Sequence, residues 1–146
     1  MAVDIMKVFA RAYLCEGDMS PDEVRLELAS LNPGSIVQTG NAKSAENEFF
    51  VEMLAAQTLR AGSVGSLLAK KPEMDFLLRL AGTTQISKAI KQHGSTKGEP
   101  FLLVVAGPRE IRSSRSFMAM ELPRRRLSKE ELDRIEVAAL LSALRP

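Results

Sequence analysis

Most of what chemical sites are built from is scarce in this chain. One cysteine (Cys15) and one histidine (His93) occur in 146 residues. That excludes an intramolecular disulfide and leaves no Cys/His set for a zinc ion. Tryptophan is absent and aromatic residues make up 5%, so stacking platforms are few. No apolar run reaches the roughly 18 residues of a membrane span. Asp4, Lys7 and Arg11 interrupt the apolar N-terminus, so no signal peptide is expected. These absences lead us to expect a cytoplasmic protein without membrane, metal or cofactor.

What is present fits an ordinary folded domain spanning residues 1–146. The chain is 45% apolar and 26% charged, and a chain of this length buries roughly 70% of its unfolded surface. No repeat, low-complexity tract or dividing linker interrupts it. The net charge of +2 is unevenly spread: residues 1–60 hold five Lys/Arg against nine Asp/Glu, residues 88–126 nine against three. A clustered positive charge attracts phosphates and raises encounter rates, although a solvated face gives the same composition.

Residues 5–14 alternate with period two and read as a first strand. Ser20-Pro21-Asp22-Glu23 is a capping box opening a helix that Asn32-Pro33-Gly34 stops. A short strand over 35–39 follows, then a helix from Ser44 to about Arg60. Pro72 to Leu80 is apolar on nearly every side except Arg79 and reads as a core helix. A further helix starts at Thr83 or Thr84 and closes at Gly94. Phe101–Ala106 is a central strand buried on both faces. A short helix from Gly107 to Ile111 and a strand over 116–122 come next. Ser128-Lys129-Glu130-Glu131 opens the last helix. The expectation is an α/β (α+β) fold: a three- or four-stranded mixed sheet packed with about five helices.

No catalytic constellation emerges. Gly62-Ser63-Val64-Gly65-Ser66 lacks the spacing of a phosphate loop. Cys15 has no basic neighbour in sequence, His93 reads as a surface residue at a helix end, and Glu99 and Glu110 stand alone. Two features exceed ordinary packing. At the junction Arg79-Leu80-Ala81-Gly82-Thr83-Thr84-Gln85-Ile86, the new helix begins with polar donors. Its first amides can bind an anion, with Arg79, Lys88, Lys70 and Lys71 near, or accept a cap from Thr83 or Thr84. In the last helix, Leu132, Ile135 and Ala139 form an inward stripe. From Val137, however, the helix is apolar all round and needs a second cover, from this chain or from a partner helix.

Residues 77–90, Leu-Leu-Arg-Leu-Ala-Gly-Thr-Thr-Gln-Ile-Ser-Lys-Ala-Ile, followed by Gly94 and the 101–106 strand, resemble the small accessory subunit of the KEOPS complex, whose eukaryotic members are called PRPK-binding proteins. KEOPS makes threonylcarbamoyladenosine in tRNA. The resemblance, to the archaeal type, implies a non-catalytic subunit, monomeric alone, that binds and stimulates the atypical kinase subunit and holds the single-stranded 3′ CCA end of tRNA. Carried onto this sequence, it implies RNA contacts from Lys70, Lys71, Arg79, Thr83, Thr84, Gln85 and Lys88. It likewise implies partner contacts from Leu132, Ile135, Val137, Ala138, Leu141 and Leu144. Arg124, Arg125 and Arg126 lie outside the motif and fit either a solvated turn or a second RNA contact. The competing expectation is a free-standing regulatory domain that holds a small anion at the junction.

Overall fold

A computed structural model describes residues 7–113 and 119–144. Four strands form one sheet in the order β2-β3-β1-β4: β1 Phe9–Cys15, β2 Ile36–Asn41, β3 Phe101–Gly107 and β4 Ala119–Glu121. Every pairing is antiparallel, so among the described residues the expected mixed sheet has no parallel pair, and the fold is α+β. The five helices are α1 Pro21–Leu31, α2 Glu48–Ser63, α3 Pro72–Ala81, α4 Ile86–His93 and α5 Lys129–Leu144.

β3 is buried along its whole length, because both faces of the sheet are covered. Leu102, Val104 and Ala106 point into a large core with Phe50, Leu54, Phe76 and Leu78 from α2 and α3. Phe101, Leu103 and Val105 point into a smaller one with Val24 and Leu28 of α1. The period-two alternation of a strand produces this division. It also sets the asymmetry of the molecule, with one helix on one face and four on the other.

Local signals place most helix ends. The Ser20 side chain accepts the Glu23 amide at 3.3 Å. At α5 the Ser128 hydroxyl accepts the Glu131 amide (3.1 Å) while the Glu131 carboxylate accepts the Ser128 amide (2.9 Å), a reciprocal capping box. α3 ends at Gly82, whose φ of +69° places it in the left-handed region. Its amide donates to the Leu78 carbonyl at 2.8 Å and that of Thr83 to the same oxygen at 3.2 Å, a glycine helix stop. Other expectations fail: α4 starts at Ile86 with Gln85 as its N-cap, rather than at Thr83 or Thr84. α2 starts at Glu48 rather than Ser44, with Asn47 as its cap. Residues 107–111 form no helix: after β3 the chain is irregular, and Asn32 exchanges two hydrogen bonds with the Arg112 backbone, at 2.7 and 2.8 Å. Strand β4 covers only 119–121 of the expected 116–122, and residues 116–118 lie outside the described residues.

Candidate interaction surfaces

The two features singled out in the sequence meet in space. A cavity of about 280 Å³ lies between the α3–α4 elbow and α5, lined in part by Leu80, Ala81, Gly82 and Val137. A methyl group on Gly82 would sit 3.5 Å from the Val137 side chain.

Arg79, expected to face a ligand at the elbow, does not. It is 5% exposed, and its guanidinium is used inside the fold. Nε and Nη2 donate to the two carboxylate oxygens of Asp75 at 2.7 and 3.2 Å, and Nη1 donates to the Ala138 carbonyl at 3.1 Å. Asp75, fully buried, also accepts the Thr58 hydroxyl at 2.5 Å and the Leu68 amide at 2.9 Å. One carboxylate therefore ties α2, the loop before α3, α3 and, through Arg79, α5. A desolvated arginine is stable only with such a set of partners. The sequence did carry a trace of it, since Asp75 and Arg79 are spaced i,i+4.

The other elbow residues separate into two groups. Thr83 and Thr84 are half-buried, while Gln85 and Lys88 are exposed. The Thr83 hydroxyl accepts the Gln85 amide at 3.1 Å, and Gln85, the N-cap of α4, makes no side-chain cap bond. Lys70 and Lys71, also exposed, precede the first turn of α3. They stand one helix length from the elbow, about 15 Å for ten residues. The elbow cluster is thus Thr83, Thr84, Gln85 and Lys88, and the lysine pair belongs to the far end of α3.

On α5 the expected partner residues divide between two faces. Ala138 and Leu141 are buried, and half-buried Ile135 packs on the main core, so these three hold the helix to its own fold. Val137 (47% exposed), Leu144 (70%) and Leu132 are open, as is Leu140 (56%). Leu140, absent from the residues inferred by resemblance, shares one face with Val137 and Leu144 by its i,i+3 and i,i+4 spacing. Ile86 and Ile90 of α4 are exposed as well. Half-buried Arg134 fastens α5 from beneath. It donates to the carbonyls of Ser44 (2.9 Å) and Leu80 (3.0 Å) and lies 4.4 Å from the Phe50 ring centre.

The charge asymmetry of the sequence is partly cancelled by folding. Arg124 reaches Glu52 at 2.6 Å and Glu48 at 3.5 Å, and Arg125 reaches the Glu46 backbone and lies 3.9 Å from its carboxylate. Two of the three consecutive arginines therefore clamp the acidic start of α2. Glu48, 4% exposed, also accepts the Ala12 amide.

The chemical candidates remain unassembled. Burial pushes the Cys15 thiol up to about 12, so it is inert as a nucleophile. His93 is half-buried, and its Nδ1 lies 2.9 Å from the Ser44 hydroxyl. Burial, with the nearby Arg134 charge, holds its pKa below the usual 6.5. Among the described residues no group of three His, Cys, Asp or Glu side chains could hold a metal ion, and no helix is long and apolar enough to cross a membrane.

No family model matches the chain. It is 29% identical to the KEOPS complex subunit Cgi121 of Pyrococcus abyssi (strain GE5 / Orsay) over 147 residues, which span 97% of this chain and 83% of that protein. This similarity, along nearly the whole of this chain, is to a subunit of the complex whose accessory subunit the 77–90 motif resembles.

Proposed function

We propose that this chain is a non-catalytic subunit of a KEOPS complex that modifies tRNA. In this reading, the outward face of α5 docks on the atypical kinase subunit and stimulates it, and the elbow around Thr83–Lys88 helps to recruit tRNA by its 3′ CCA end. The observation that carries the reading is the uncovered apolar stripe Val137, Leu140 and Leu144 beside the elbow, in a chain similar to Cgi121 along nearly all its length. Exposed aliphatic side chains on one helix face are what a partner groove removes from water, at roughly 25 cal/mol per Å². Among the described residues no nucleophile, base and oxyanion donors are assembled, which fits an adaptor better than a catalyst.

RNA recognition falls to a smaller set than the resemblance implies. Lys88 supplies charge, the uncapped first amides of α4 suit a phosphate, and Thr84 and Gln85 offer hydrogen bonds to a base edge. Arg79 is left out because its donors are spent on Asp75 and Ala138. Lys70 and Lys71 would be reached only by a strand running along α3.

Co-purification from the source cell, probed for the kinase subunit and for tRNA, tests the whole reading. Recovery of neither would remove it. For the RNA arm, Lys88→Glu should weaken tRNA binding several-fold and leave kinase binding intact. Trimming the CCA end should have the same effect on the wild-type protein, and affinity should fall steeply with salt as counterion release requires. Unchanged affinity on both changes would move the RNA site elsewhere.

A further inference from the structure

The outward face of α5 changes character along its length, and that gradient specifies what can lie on it. Glu130, Asp133, Val137, Leu140 and Leu144 recur at steps of three, four, three and four residues, the spacing of a coiled-coil seam. All five are exposed. The first two are carboxylates that form no salt bridge among the described residues, although Glu130 lies near enough to Arg134 to favour its charge. The last three are aliphatic. Where acid gives way to apolar, the cavity beside the elbow opens, lined by Leu80, Ala81, Gly82 and Val137 and by Glu130 and Asp133. Two arginines also line it. Arg79 is neutralised by Asp75, whereas Arg134, bonded to neutral backbone carbonyls, keeps its charge, so Glu130 and Asp133 leave the lining with one negative charge in excess.

We propose that this lane receives an amphipathic helix of the partner protein. Its apolar residues would lie on Val137, Leu140 and Leu144, and a lysine or arginine would enter the notch against Glu130 and Asp133. The notch suits such a side chain because a methylene stem lies well on an apolar floor while its charged head meets carboxylates. A second copy of this chain fits poorly. Parallel pairing sets carboxylate against carboxylate, and antiparallel pairing sets Glu130 and Asp133 against Leu144 and Leu140, desolvating charge without compensation. RNA is excluded by the sign of that excess. The inference rests on the reading that α5 docks the kinase subunit, and adds the polarity and charge of what it meets.

Calorimetric titration of the full chain into the purified kinase subunit, at low and at physiological salt, tests it with three variants checked for folding by thermal melting. Leu140→Glu should abolish binding. Glu130→Lys with Asp133→Lys should weaken it by about tenfold or more and flatten its salt dependence. The neutral pair Glu130→Gln with Asp133→Asn, which disturbs the helix start less, should weaken it several-fold. If Leu140→Glu abolishes binding while both charge variants stay within twofold of wild type, the basic occupant is overturned and docking by α5 stands. If Leu140→Glu has no effect, or the wild-type chain does not bind, docking by α5 fails and the inference with it. A concentration-dependent dimer in sedimentation that Leu140→Glu dissolves would make the occupant a second copy and overturn the inference.

Discussion

α3 and α5 are both apolar around much of their circumference, yet they sit in opposite environments. α3 is buried from Asp75 through Leu80, enclosed by α2, α4, α5 and the sheet. Among the described elements α5 packs chiefly against α2 and α3 and buries Ala138 and Leu141, leaving Val137, Leu140 and Leu144 open. Similar patterns therefore acquire different meanings from their neighbours. An apolar helix surrounded on all sides is a core element, whereas the same pattern at the margin of the helical layer is half core and half contact surface. Polar residues follow the same logic. Arg79 on α3 is captured by Asp75, while Glu130 and Asp133 on α5 remain available.

The largest expected effect falls on the point that joins the two helices. Asp75→Ala strips Arg79 of its carboxylate inside the core, and removing one partner of a buried pair costs about 3–5 kcal/mol. Urea unfolding should show that loss, and a midpoint within error of wild type would mean the pair is not what holds α5 to α3. Next comes the contrast across α5 itself. Leu141→Ala should lower stability by about 2–5 kcal/mol, and Leu140→Ala by no more than about 0.5 kcal/mol. Equal losses would erase the distinction between the two faces. Gly82→Ala should cost about 1–2 kcal/mol because alanine is strained at positive φ, its methyl group making only an ordinary contact with Val137.

The smallest effect is one of pH. Burial holds the His93 pKa below its ordinary 6.5, so the unfolded chain binds a proton more readily than the folded one. Stability from this group is therefore present above about 6.5 and is lost as pH falls through the folded value. His93→Gln should flatten the decline in melting temperature below that pH. An unchanged decline would assign it to other groups.

How far these environments were legible can be judged from particular residues. Ser20, Ser128 and Gly82 announce helix ends through bonds made within a few residues, so local reading located them. The continuous apolar run 101–106 was equally readable, because a strand apolar at every position must be covered on both faces. The start of α2 was missed although its cap is local, the Asn47 side chain accepting the Phe49 amide at 3.1 Å; what lies far along the chain is the Arg125 backbone, whose amide and carbonyl also bond Asn47. Arg79 was misassigned because a charged residue on an apolar helix reads as exposed until a buried acid is found for it. The arginines at 124 and 125 looked like free positive charge and instead meet acids more than seventy positions upstream.

The strands, the helix ends at Ser20, Gly82 and Ser128 and the two-sided burial of β3 were determined by the sequence alone, because hydrogen bonds at helix ends and side-chain patterning act over a handful of residues. Which apolar face of α5 stays open, which cations are neutralised, and that the Gly82 elbow lies against Val137 were decided only by the tertiary structure. Those outcomes depend on which surfaces pack together across the chain, and an element's own sequence does not contain its neighbours.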